Sequence, residues 1–192
     1  MALLIAGLVL FLGIHAVPIF SSRRAALISR LGENGYKGLF ALVSAVGLGL
    51  IIYGYGLARA EGPLLVYDPP FWLRHVTMLL MVPVFIFLVA AYVPSRISRT
   101  LKHPMLVAVK LWAFAHLLAN GDLASVLLFG GFLAWAVADR ISLKRRGPGA
   151  GLIAAAKDPG KFSDVVVILI GLVLYALFVW KLHAWLIGVP AA

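Results

Sequence analysis

Long apolar runs alternate with short basic stretches along the whole chain. Runs of this length, with no regular alternation of apolar and polar positions, are typical of helices that are surrounded by lipid. They predict an all-α, polytopic transmembrane bundle of about six helices. The predicted segments are residues 2–20, 36–58, 72–93, 104–119, 123–139 and 164–187.

The fourth and fifth segments are the shortest and are predicted to form a short hairpin. A helix of about 16 residues reaches only about 24 Å, less than the ~30 Å apolar core of a bilayer. Asn120-Gly121-Asp122 joins the two segments. Gly121 permits a left-handed turn, and Asp122 is a good N-cap for the fifth helix. The alternative is a four-helix protein with a re-entrant hairpin.

Composition excludes several classes of protein. Hydrophobic residues make up 63% of the chain and charged residues 12%, too few charges for the surface of a soluble domain. Cysteine is absent, which excludes disulfides, thiolate ligands and iron–sulfur clusters. We therefore expect one transmembrane domain, residues 1–192, with the lipid bilayer as partner and no nucleic-acid partner.

The net charge of +10 is concentrated in alternate connections. Most of the 17 lysines and arginines lie in residues 21–37, 94–103 and 140–163. Because cytoplasmic loops carry an excess of Lys and Arg, these three connections are predicted to be cytoplasmic. An even number of helices then places both termini on the outer side.

Two histidines lie inside apolar segments, where an unpartnered imidazole costs several kcal/mol. His15 follows Gly13, which would let a neighbouring helix approach closely. His116 lies four residues after Trp112 and four before Asn120, so these three side chains share one helix face. The simpler interpretation is an interhelical hydrogen bond, and the alternative is ligation of a cofactor.

Two imidazoles on separate helices, among apolar and aromatic side chains, suit a b-type haem. The chain has no C-x-x-C-H motif, so the haem would be non-covalent. Measured from the cytoplasmic basic residues, His15 is about 12 Å deep and His116 about 20 Å deep. His116 with His183 is therefore a competing pair. A zinc site is less expected, because a closed site needs four ligands.

Further residues complete the candidate site. Trp112 and Phe114 are expected to wall the haem pocket. Lys110, about two turns into its helix, must face a cavity, a partner or an anionic group such as a haem propionate, or reach towards the membrane surface. The secondary candidates are polar residues near helix ends: His103, His183, Asn120 and Asp122.

These motifs resemble the NnrU family. The segments that carry the resemblance are Gly13 to His15, His103-Pro104 through Trp112 to His116, Asn120-Gly121-Asp122 and Asp139-Arg140. The resemblance implies a bacterial inner-membrane protein linked to denitrification, that is, to nitrite and nitric oxide metabolism. It also implies respiratory or denitrification membrane proteins as partners, and it makes the outer side the periplasm.

The same pattern is similar to zeta-carotene isomerase, a membrane enzyme that binds haem b. Its two haem histidines carry over to His15 and His116. Ala113 stands where the isomerase has a cysteine that replaces one histidine on reduction, so this ligand switch is not expected in the same form. If the chain is an enzyme, we expect a haem-dependent isomerase or oxidoreductase.

Three other functions remain as alternatives. The first is a non-catalytic assembly or scaffold factor for a nitric oxide respiratory complex. The second is a membrane methyltransferase-like enzyme, from a faint similarity of Lys102-His103-Pro104 to the Arg-His-Pro motif of the isoprenylcysteine type. The third is a transporter, against which the lack of an internal repeat argues.

Overall fold

A computed structural model describes residues 1–146 and 158–189; residues 147–157, in the predicted basic loop, and 190–192 lie outside this description. The described residues are almost entirely helical, which confirms the predicted all-α class. The helices are α1 (Ala2–Ala16), α2 (Ser21–Ala60), α3 (Leu73–Ala90), α4 (Arg96–Leu101), α5 (Pro104–Ala119), α6 (Leu123–Arg145), α7 (Ser163–Leu177) and α8 (His183–Ile187). A 3-10 turn, Val17–Ile19, follows α1, and a π turn, Phe178–Leu182, joins α7 to α8.

All six predicted apolar segments are helical. In the described chain, five helical stretches are long and apolar enough to cross a membrane. The remaining apolar helix, α5, has 16 residues and is short, as predicted. Its neighbour α6 is longer than predicted, because it continues through the charged residues after position 139 and ends at Arg145. Only the fourth apolar segment is therefore short.

The first basic connection is a helix rather than a loop. Residues 21–31 form the first part of α2, and Gly32 interrupts the helix with φ 72° and ψ 166°. The stretch is rich in Ala, Leu and Arg, which favour helices. Beyond the interruption, Glu33 accepts an ion pair from Lys37 at 2.8 Å, a spacing that supports a helix.

The backbone contacts group the chain into two compact units. The first unit contains Met1–Tyr67 and Gly121–Ser142. The second contains Asp68–Asn120 and the described residues from Leu143 onward. The prediction of a single domain over residues 1–192 remains a prediction.

In the first unit, α1 packs on α2 through glycines. A Cβ on Gly7 would lie 2.6 Å from the backbone nitrogen of Ile51, and one on Gly47 would lie 2.8 Å from that of Phe11. A Cβ on Gly54 would overlap the backbone of Leu4. Small residues let membrane helices approach this closely. Gly13 has open space beside it, so the expectation of a close neighbour there is wrong.

The turn before α6 is fixed by the segment that follows α2. Gly121 accepts a hydrogen bond from the backbone N–H of Val66 at 2.8 Å, and its missing Cβ leaves room for the Tyr67 carbonyl. Its φ is not positive, so the expected left-handed turn is wrong. Asp122 caps α6 as predicted, because its Oδ1 accepts from the Ser125 N–H at 3.0 Å.

In the second unit, α3 packs against α5 and α7. The Thr77 hydroxyl donates to the Ala115 carbonyl at 2.7 Å, and the Tyr175 hydroxyl donates to the Met78 carbonyl at 3.0 Å. These bonds join helices by satisfying polar groups inside an apolar bundle. The short α4 is tied to α7, because Asp164 accepts from the Ile97 N–H at 3.2 Å.

Candidate functional site

His15 lies in the last turn of α1 in the first unit. Its Nδ1 is 2.7 Å from the carbonyl oxygen of Phe11, one turn back. Because a carbonyl can only accept, Nδ1 carries the proton and Nε2 carries the lone pair. This is the tautomer in which metal-ligating histidines are usually held, with one ring nitrogen donating to a carbonyl and the other facing the metal.

Three aromatic rings from three helices surround the His15 imidazole. Phe11 of α1 stacks on it with centroids 4.2 Å apart. Phe40 of α2 and Trp135 of α6 approach it edge-on, at 4.9 Å and 5.8 Å. The ring is therefore held on several sides inside an apolar, half-buried site.

Two buried polar atoms in the same unit have no hydrogen-bond partner among the described residues: Trp135 Nε1 and Ser44 Oγ. Phe11 of α1 contacts Gly47 of α2. Ser44 lies one turn before Gly47 and His15 one turn after Phe11, so in these antiparallel helices the two residues are at a similar depth. Buried polar groups are normally hydrogen-bonded. A ligand with an acceptor atom beside His15 would satisfy the Trp135 donor, so these residues fit a bound polar group.

His116 lies in the last turn of α5 in the second unit. Its Nδ1 is 2.8 Å from the Trp112 carbonyl, again one turn back, so Nε2 again carries the lone pair. The Trp112 ring lies 5.4 Å from the imidazole, and Asn120 Nδ2 donates to the His116 carbonyl at 2.9 Å. The predicted shared face of these three residues is confirmed.

His183 begins α8, directly after the π turn, and also lies in the second unit. Its Nδ1 is 2.7 Å from the Val189 carbonyl, and its ring meets the Phe178 ring edge-on at 6.0 Å. Both members of the competing pair, His116 and His183, therefore belong to the second unit, whereas His15 belongs to the first.

The chain was compared with known protein families, curated proteins and solved structures. The family described as NnrU protein matches residues 3–191, which is nearly the whole chain. The chain belongs to the NnrU family. No curated protein and no solved structure matches it.

Three other predicted site residues of this NnrU-family chain lie on α5 or at its start. Phe114 has 47% of its surface exposed and, two residues before His116, lies on a different face of α5. Lys110 is half-buried on the same helix, and His103 is the N-cap of α5.

Asp122 belongs to a hydrogen-bonded chain at the start of α6. Its Oδ2 accepts from the Ser125 hydroxyl at 2.6 Å, and the Tyr55 hydroxyl lies 2.9 Å from the same Ser125 oxygen. Burial, and then the negative charge of Asp122, raise the pKa of the nearby Tyr67 phenol. These contacts give Asp122 a structural role in the first unit.

Sequence reasoning missed the ring contacts of His15. Phe40 and Trp135 come from distant parts of the chain, and no local pattern marks them. Phe11, in contrast, had a signal. It precedes His15 by four residues, as Trp112 precedes His116, so the aromatic ring and the carbonyl that binds Nδ1 come from the same residue.

Proposed function

We propose that this multi-pass membrane protein of the NnrU type binds haem b non-covalently, with His15 and His116 as haem ligands. The supporting observation is the repeated geometry of the two imidazoles. Each is held through Nδ1 by the carbonyl one helical turn back, and each presents Nε2 as a lone-pair donor. This hydrogen bond fixes the ring before any metal binds, so the side chain loses little conformational entropy when it binds the metal.

Haem suits these residues better than a bare metal ion does. Within residues 1–146 and 158–189, no group of three or more His, Cys, Asp or Glu side chains comes together to hold a metal. A bare zinc or copper ion needs three or four protein ligands. A porphyrin supplies four nitrogens itself and needs only one or two imidazoles from the protein.

The side chains around the imidazoles would influence how strongly a haem is bound and how far water reaches it. The bond to the Phe11 carbonyl makes the His15 ring a stronger donor and fixes its rotation. Phe40 and Trp135 exclude water from one side of it. When bound, haem supplies one-electron redox chemistry and a binding position for gases such as nitric oxide.

We infer a redox or gas-responsive role in nitrite and nitric oxide metabolism, in a bacterial inner membrane. The imidazoles of His15 and His116 would hold the haem from the protein side, so access of a gas or substrate to it would depend on their release. Such ligation favours electron transfer, sensing or redox-gated catalysis over constant turnover. The charge pattern supports periplasmic termini. Membership of the NnrU family favours respiratory or denitrification membrane proteins as partners.

The test is haem content. The protein is expressed with iron and a haem precursor, purified in mild detergent, and its visible spectrum and haem per chain are measured. We expect a Soret band, and a loss of haem of about tenfold or more in His15→Ala and in His116→Ala. His75→Ala, a change at an exposed histidine of α3, is the matched control and should retain haem.

A colourless wild-type protein would contradict the proposal. The alternative would then be a non-catalytic assembly factor, whose histidines hold helices together by hydrogen bonds. Thermal melts separate the two outcomes further. A structural histidine lowers the melting temperature on substitution whether or not haem is supplied, whereas a haem ligand changes it mainly in the loaded protein.

A further inference from the structure

We propose that the first part of α2, residues 21–31, binds the phosphate of an anionic phospholipid headgroup between Arg23 and Arg30. The two arginines stand at the ends of a groove of about 320 Å³. This inference rests on the first unit alone and does not depend on haem binding.

Residues 21–31 form a short helix that is distinct from the spanning part of α2. Phe20, just before it, has an extended backbone with φ −101° and ψ 90°. Gly32, just after it, departs from helical geometry with φ 72° and ψ 166°. Most of the residues between them are exposed. A short exposed helix between two spanning stretches is placed at the level of the lipid headgroups.

The groove combines charge with an apolar floor. Its lining residues are Val17, Arg23, Ala26, Leu27 and Arg30. The last four are spaced i, i+3, i+4 and i+7, so they form one stripe along the helix with arginines at both ends. A phosphate bound by the guanidinium groups would leave the Ala26 and Leu27 side chains for the glycerol and the first acyl carbons.

The guanidinium groups have no competing carboxylate. Residues 21–32 contain no Asp or Glu, and the nearby Glu33 is paired with Lys37 at 2.8 Å. In the part of the chain that the structure describes, neither Arg23 nor Arg30 forms an ion pair with a carboxylate. Arg23 lies over the Phe20 ring, 5.0 Å from its centroid, which leaves its N–H groups available.

Arginine suits phosphate because its planar fork can donate two parallel hydrogen bonds. The predicted orientation places residues 21–31 on the cytoplasmic side, where anionic lipids attract basic segments. Together, the position at headgroup level, the apolar floor and the paired arginines favour a phospholipid over a free phosphate ion.

The test compares lipid retention by native mass spectrometry of the full chain released from nanodiscs of phosphatidylglycerol or phosphatidylcholine. We expect preferential retention of phosphatidylglycerol and a loss of about tenfold in its apparent affinity in Arg23→Gln/Arg30→Gln. Arg24→Gln is the matched control. Arg24 is on the same helix but outside the groove, over the Tyr36 ring at 5.7 Å, and its loss should change retention less than twofold.

The conservative variant Arg23→Lys/Arg30→Lys keeps the charge and should retain part of the preference, which shows that a folded protein is being compared. Equal retention of the two lipids by the wild type would overturn the proposal. So would an equal loss in Arg24→Gln, or full displacement of the lipid by millimolar inorganic phosphate, which would indicate a plain anion site. Haem content should be the same in all these variants.

Discussion

His15 in the first unit and His116 in the second are oriented by the same local hydrogen bond but have different neighbours. Both donate through Nδ1 to the carbonyl one turn back, and that carbonyl belongs to an aromatic residue. His15 then meets rings from two further helices, Phe40 and Trp135. For His116, the neighbouring ring is that of Trp112, which precedes it by one turn on the same helix. Local helix geometry therefore fixes the tautomer, and tertiary packing decides what surrounds each imidazole.

The two units also hold their helices together differently. In the first, glycines such as Gly54 let the backbones of α1 and α2 touch. In the second, hydroxyls such as that of Thr77 donate to the carbonyls of a neighbouring helix. The surroundings of His15 should therefore be sensitive to added volume, and those of His116 to the loss of a hydrogen bond.

The largest effect is expected from Gly54→Ala, because the new methyl group would overlap the backbone of Leu4. Overpacking of this kind costs about 1–3 kcal/mol, which corresponds to a fall of roughly 3–10 °C in melting temperature. Thermal unfolding in detergent measures it. Gly56→Ala is the control, because open space surrounds Gly56 on the same helix and the melting temperature should hold or rise slightly. Equal effects of the two changes would refute the glycine-packed interface.

A middle-sized effect is expected from Trp135→Phe, which keeps a ring beside His15 and removes the buried Nε1 donor. The protein without haem should keep its stability or gain slightly, because that donor has no partner among the described residues. If a ligand atom accepts from this N–H, haem retention should fall about threefold to tenfold. Haem titration of wild type and variant measures it, and unchanged retention would exclude Trp135 from the site.

The smallest effect is expected in the second unit from Thr77→Val, which removes the bond to the Ala115 carbonyl at nearly constant volume. Such bonds in membrane proteins contribute about 0.6 kcal/mol on average, so the melting temperature should fall by about 1–2 °C. Thr100→Val is the control. The Thr100 hydroxyl donates to a carbonyl of its own short helix at an exposed position. Removing this bond should therefore lower the melting temperature even less.

The local features of this chain could be predicted from its sequence. Apolar run length identified the spanning helices, and the spacing of Trp112, His116 and Asn120 predicted their shared face, because both depend only on helix geometry. The cap at Asp122 was predictable for the same reason.

Features that depend on distant residues could not be predicted. The spacing around His15 does not reveal Phe40 or Trp135, because their approach depends on how α1, α2 and α6 pack in the first unit. The role of Gly121 is similar, since its missing side chain makes room for the carbonyl of Tyr67 from another loop. Hydropathy alone also failed to predict that residues 21–31 are helical, because a basic helix and a basic loop have the same average polarity.

The most direct test of the account is near-infrared magnetic circular dichroism of the oxidised, purified protein, which reports which side chains bind a haem iron. If His15 and His116 bind the haem, the spectrum should contain a band of imidazole ligation that changes in both His15→Ala and His116→Ala. A wild-type protein without haem, or a haem spectrum that neither substitution alters, would contradict it.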